Sequence, residues 1–105
     1  MRGDIHRLRA SGSARGREQQ GERYAVLLQS DDLMLSTVLV APTSRSSPPR
    51  IFRPTITIGD DETRVLIEQT SAVAYERLGE FVGRLDHDEL VEVNDTLRLM
   101  LELDY

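Results

Sequence analysis

A chain of 105 residues is enough for one domain with a single small core, and residues 1–105 are expected to form one. Its size buries a share of the unfolded surface between about 60% and about 70%, so a second subunit would stabilise it usefully. There is no cysteine, which excludes disulfide staples, thiolate metal sites and thiol catalysis. No apolar run approaches the ~18 residues of a membrane helix, and the start MRGDIHRLRASG carries no signal-peptide core, so a cytoplasmic protein with no membrane partner is expected.

The formal net charge of -5 conceals a division of the chain. Residues 1–55 hold nine Arg against five acidic residues, a net of +4, whereas residues 56–105 hold four Arg against thirteen, a net of -9. Every basic residue is Arg, which a GC-rich coding sequence would account for. The clustering carries the information, because a guanidinium fork meets phosphate oxygens with paired hydrogen bonds and stays charged at any relevant pH. An Arg-rich half in an acidic protein points to a local anion site rather than to bulk attraction for nucleic acid.

In chain order, Asp4–Leu8 is expected as a short strand of poor alternation, since Ile5 and Leu8 fall on opposite faces. Ala10–Glu22, with no large apolar residue, is expected to be a long mobile loop. Tyr24–Gln29 and Ser36–Ala41 are short apolar runs suited to strands buried on both faces. From Pro42 to Arg50 a second polar loop is expected, its three prolines opposing a helix. Phe52–Ile58 and Thr63–Ile67 form an expected hairpin across the four residues Gly59–Glu62. Ser71–Ala74 and Glu80–Arg84 are candidate edge strands with a helical turn at Tyr75–Leu78 between them. Asp86 with Glu89 three residues later has the form of a helix start. Leu90, Val93, Leu97, Met100 and Leu101 then make one apolar stripe, opposite a solvated face of Glu89, Glu92, Asp95 and Glu102. The expected fold is a β-rich α+β domain: a small SH3-like antiparallel β-barrel with a C-terminal helix packed on it.

Arg15, Arg17 and Arg23 on the first basic loop, and Arg45, Arg50 and Arg53 on the second, would line one surface. Phe52 and Tyr24 flank these loops, where they could stack on bases or, for Phe52 above all, pack in the core.

The succession Arg2-Gly3-Asp4-Ile5, then Gly16-Arg17-Glu18-Gln19-Gln20-Gly21-Glu22-Arg23, then the apolar run Ala25–Leu28, resembles the MazF/PemK family of toxin ribonucleases. Val38-Leu39-Val40-Ala41 running into Pro42-Thr43-Ser44 resembles the strand end of such toxins, and Ile67-Glu68-Gln69 resembles their acid-glutamine pair after a hairpin. Leu78–Leu85 resembles the segment before their closing helix, and Tyr24 stands where the family has Pro. The second half is also similar to the gyrase poison CcdB, which shares the fold, in Thr57–Asp61 and Leu97–Leu101; CcdB ends in Trp-Gly-Ile, and this chain has no Trp.

The MazF/PemK resemblance implies a sequence-specific endoribonuclease, the toxin of a type II toxin-antitoxin system. It implies a homodimer that acts on single-stranded RNA and is restrained by a cognate antitoxin. RNA can be cut without metal or cofactor when its own 2′-OH attacks the neighbouring phosphorus, provided the protein stabilises the phosphorane and moves protons. By the resemblance Arg23 and Thr43 are the catalytic pair. Arg23 would stabilise phosphate and leaving group, while Thr43 would hydrogen-bond a non-bridging oxygen or orient Arg23. On its own sequence context Thr43 reads equally well as a hydroxyl closing the turn after Pro42. Arg15, Arg17, Ser44, Arg45, Arg50, Arg53 and Gln69 are the expected RNA contacts. His6 and His87 offer the other standard route, a histidine pair. The acidic residues make no metal-ligand pattern, since Asp86, Asp88 and Glu89 are explained by the helix start.

Overall fold

The computed structural model of the chain describes residues 1–9 and 23–103, so the expected loop at 10–22, with Arg15 and Arg17, lies outside the described residues. Seven strands are present among them: β1 (Asp4–Leu8), β2 (Tyr24–Leu27), β3 (Thr37–Ser44), β4 (Thr55–Ile58), β5 (Asp61–Val65), β6 (Ser71–Ala74) and β7 (Leu78–Arg84). Short 3-10 turns occupy Ile67–Gln69 and Tyr75–Arg77, and helix α1 runs His87–Leu101. The strands pair antiparallel in the order β4-β5-β3-β2-β1-β7, with β6 added to β3. The path does not close between β4 and β7, so the sheet is a curled half-barrel carrying one C-terminal helix.

The curl originates in β3. On one side it pairs with β2; on the other its first half, Thr37–Val40, pairs with β6 and its end, Thr43–Ser44, with β5. Pro42 lies at the changeover, where its missing N–H interrupts no ladder, and its carbonyl accepts from Leu66 N at 2.8 Å. The strand therefore continues through Pro42 and Thr43 to Ser44, where the sequence led us to expect a loop. Thr43 is a strand residue and closes no turn. β2 is shorter than expected, ending at Leu27, and β4 begins only at Thr55. The β4–β5 hairpin is tighter than expected: Ile58 pairs with Asp61, leaving Gly59-Asp60 as a two-residue loop. Gly59 takes the positive φ of 61° that the first position of a type II′ turn requires.

Burial on both faces of the central strands is as expected. Val26 of β2 and Ala41 of β3 join Ile5, Ile56, Val65, Ile67, Leu85 and Val93 in the core under the helix. Ala25, Leu27, Val38 and Val40 form a second cluster with Val73 on the other face. Ile5 belongs to the first cluster and Leu8 packs on the second, which explains the imperfect alternation of β1.

Helix α1 starts as its sequence signals. Asp86 accepts from Glu89 N at 2.8 Å and Glu89 Oε1 accepts from Asp86 N at 3.0 Å, a complete capping box. Glu89 is not simply solvated: its Oε2 also accepts from Thr57 N at 2.9 Å, which ties the helix start to the edge strand β4. Val93 is fully buried, with Leu90 and Leu97 packed beside it, but Met100 and Leu101 at the end of the expected stripe are exposed.

Beneath the other end of the sheet, Asp4 is buried and bound by Arg84 Nε and, at 3.1 Å, by the N-terminal ammonium of Met1. Burial pushes its carboxyl up, but the hydrogen bond from Arg84 and the nearby ammonium outweigh this and hold it below the ordinary carboxylate value.

Candidate active site

The register of β2 on β3 positions the site. Ala25 stands opposite Pro42, so the next step along the ladder sets Tyr24 beside Thr43 and the one after sets Arg23 beside Ser44. Strands lie about 5 Å apart, so residues distant in sequence become neighbours. Thr43 Oγ1 donates to the carbonyl of Tyr24 at 3.4 Å.

Around this pair opens a cavity of about 690 Å³. Its wall draws on the start of β2 (Arg23, Tyr24), the end of β3 and the turn beyond it (Thr43, Ser44, Arg45, Ser46), and the hairpin (Ile58, Asp61, Thr63). Leu66 and Gln69 complete it. Arg23 is exposed, and no described residue accepts a hydrogen bond from its guanidinium, which leaves it available to an anion. Ser44 Oγ accepts from the backbone N of Ser47 at 3.1 Å and its hydroxyl at 2.9 Å, and so holds the turn in which Arg45 and Ser46 reach the cavity. Arg45 Nη1 bonds Asp61 Oδ2 at 3.2 Å across the rim, with side chains 71% and 65% exposed, a geometry in which water screens the attraction.

Of the residues singled out in the sequence, Arg23, Thr43, Ser44, Arg45 and Gln69 thus share one cavity. Arg50 and Arg53 are not among its lining residues. Arg50 Nη1 donates to its neighbour's carbonyl at Pro49. Arg53 is folded down: Nε and Nη2 donate to Glu68 Oε2 at 3.0 and 2.7 Å, Nη1 donates to Pro48 O at 3.1 Å, and the guanidinium carbon lies 5.4 Å from the Phe52 ring centre. Glu68 answers in its acidity. Burial raises its carboxyl, while the hydrogen bond from Arg53, a backbone N–H and the charge of Arg53 bring it below the ordinary value. Arg15 and Arg17 lie outside the described residues.

His6 is turned elsewhere, its Nδ1 3.0 Å from Gly79 O and its ring edge-on to Phe81 at 5.7 Å. His87 is exposed at the start of α1. Neither lines the cavity. Tyr24 does, with Arg7 stacked over its ring at 5.5 Å. Among the described residues no group of His, Asp or Glu is arranged to hold a metal ion, and no helix is long and apolar enough to cross a membrane.

Sequence reasoning missed Ile58, Asp61 and Thr63 in the cavity wall. The signal was the Gly59-Asp60 pair: a two-residue hairpin forces Asp61 opposite Ile58 and sets Thr63 on the same face two residues on.

The curled antiparallel half-barrel with one C-terminal helix is the fold of MazF toxins, and solved structures match it over nearly the whole chain. The Mycobacterium tuberculosis toxin MazF-mt6 superposes with a TM-score of 0.78 at 16% identity, covering 97% of this chain and 99% of its own. MazF from Deinococcus radiodurans gives 0.77 at 22% identity, covering 97% and 96%. An endoribonuclease from a mycobacterial species, solved in complex with its cognate antitoxin, gives 0.78 at 12% identity, covering 100% and 97%. In sequence, a candidate toxin of Mycobacterium tuberculosis strain H37Rv is 35% identical over 105 residues, 98% of each chain. Residues 1–101 match the family of PemK-like, MazF-like toxins of type II toxin-antitoxin systems, and the chain belongs to that family.

Proposed function

We propose that this toxin is an endoribonuclease that cuts single-stranded RNA at preferred sequences, using the RNA's own 2′-OH as nucleophile. The 2′ oxygen bonds to the adjacent phosphorus and gives up its proton. The bond to the 5′ oxygen breaks, leaving a cyclic phosphate on one product and, after proton transfer, a free 5′-OH on the other. Because the nucleophile comes from the substrate, the reaction needs neither metal nor cofactor.

One observation carries this reading: Arg23 and Thr43, distant in sequence, line one cavity on neighbouring strands, with the Arg23 guanidinium unclaimed by any described residue. Arg23 bonds the phosphorane oxygens as charge builds on them. Thr43 keeps its Oγ1 beside the same phosphate and, through the Tyr24 carbonyl, fixes the spacing of the two strands. Ser44, Arg45 and Gln69 hold flanking nucleotides, and Arg15 and Arg17 extend the track. The mycobacterial endoribonuclease solved with its cognate antitoxin supports an antitoxin as a partner of this toxin too, and membership of the family supports a homodimer that the antitoxin restrains. The protein works in the cytoplasm, where both RNA and antitoxin are made.

The test is cleavage of single-stranded RNA by purified protein in EDTA, with the product ends identified. Cyclic phosphate and 5′-OH ends, lost in Arg23→Ala, are expected. A requirement for Mg2+, or products with a 5′-phosphate, would sink the mechanism.

A further inference from the structure

Asp61 is the one carboxylate among the described residues that line the cavity. Its position is unfavourable for a site that accepts only phosphates, since a carboxylate repels them. What it attracts is N–H donors. Its present donor is Arg45, at 3.2 Å in a pair that is largely exposed and hence weakly held, so a ligand that offers its own donors can displace it.

The hairpin fixes where that ligand group would lie. Thr43 pairs with Val65, and Asp61 stands four residues further along β5, about 13 Å away at about 3.3 Å per residue. Asp61 is therefore remote from the phosphate at Arg23 and Thr43 and level with a flanking nucleotide. Directly across the ladder Ile58 supplies an apolar wall for a base.

We infer that Asp61 reads a guanine flanking the cleaved bond; this rests on the nuclease reading above. Guanine alone among the RNA bases presents two adjacent donors, N1–H and the N2 amino group, which match the two oxygens of one carboxylate. Adenine and cytosine offer one amino donor beside a ring-nitrogen acceptor that a carboxylate repels. Uracil sets its single N–H between two carbonyls. As guanine takes Asp61, Arg45 is released to the RNA backbone, so the free protein's ion pair guards the site and its exchange admits the base.

The experiment is cleavage of a randomised RNA pool with sequencing of the product ends, for the native protein and Asp61→Asn. Guanine is expected to be enriched about tenfold or more at one fixed position near the cut, and the enrichment to disappear in the variant. A second arm uses the native protein and so does not depend on the variant folding. Inosine in place of that guanine removes the N2 amino group alone and should slow cleavage several-fold. Cleavage by native protein and variant with the same base profile, or indifference to inosine, overturns the assignment while leaving the nuclease intact. No cleavage by the native protein overturns the nuclease reading and the assignment with it.

Discussion

Arg53 holds Glu68 with two nitrogens on one oxygen, Nε at 3.0 Å and Nη2 at 2.7 Å, and the two side chains are only 18% and 24% exposed. Glu68 sits in the 3-10 turn Ile67–Gln69, so the pair clamps the chain before β4 onto the turn that brings Gln69 to the cavity. A guanidinium so engaged is a strut. We expect Arg53→Ala to lower stability by about 1–3 kcal/mol, as for a lost charge-assisted bond, in urea titration. Arg53→Ala should leave the salt dependence of RNA binding unchanged. Arg45→Ala should reduce the log-log slope by about 0.7, the single-strand value for one phosphate contact. A fall in slope for Arg53→Ala would return it to the RNA track.

The contrast shows what the sequence could carry. That Arg23 and Thr43 would lie close together was legible because each lies in a short motif at the end of an apolar run, and the two runs form central strands whose pairing brings them to one cavity. Arg53 carries the same charge as Arg45, and nothing local records that Glu68 would claim it. Long-range partners of this kind escape a reading along the chain, as do Arg84 on Asp4 and Thr57 on Glu89. The continuation of β3 through Pro42 escaped for a different reason. Proline opposes a strand only where its missing N–H would face a partner, and here it faces the gap between β6 and β5.

Acid should weaken the fold through the two carboxylates held below their ordinary values, Asp4 and Glu68. In the folded protein each binds its proton less readily than in the unfolded chain, so each contributes stability above the ordinary carboxylate range of about 4. That contribution is lost as pH falls through the folded value. The urea midpoint should therefore drop steeply below about pH 4, with Asp4→Asn less stable at neutral pH and flatter across the acid limb. Parallel acid limbs for the native protein and Asp4→Asn would remove Asp4 from this account.

Glu89 closes two structures at once, the capping box of α1 and the open edge of β4 at Thr57. Glu89→Ala leaves the Asp86 and Thr57 amides without their side-chain acceptor and should cost about 1–2 kcal/mol. Glu92→Ala, on the exposed face of the same helix, should stay within about 0.5 kcal/mol. Hydrogen exchange distinguishes the two roles of Glu89: faster exchange at Thr57 N reports the strand edge, and faster exchange at Asp86 N reports the cap. Equal stability of the two variants would mean that neither bond matters in solution.

The chemistry turns on whether Arg23 and Thr43 act as a unit. On the proposed mechanism Arg23→Ala removes the charge that would meet the phosphorane and should lower kcat by about 100- to 1000-fold, the usual effect of losing one such donor. Thr43→Val keeps the β-branched shape that suits a strand but deletes Oγ1, and with it the bond to Tyr24 O. If Thr43 works by holding β2 and Arg23 in place, the double variant will be little worse than Arg23→Ala alone. If each contacts the phosphate independently, the two losses multiply. Single-turnover cleavage of a short RNA by the two single variants and the double variant measures this directly. Near-native rates for Arg23→Ala would exclude the arginine from catalysis and with it the reading of this cavity as the place where the bond is cut.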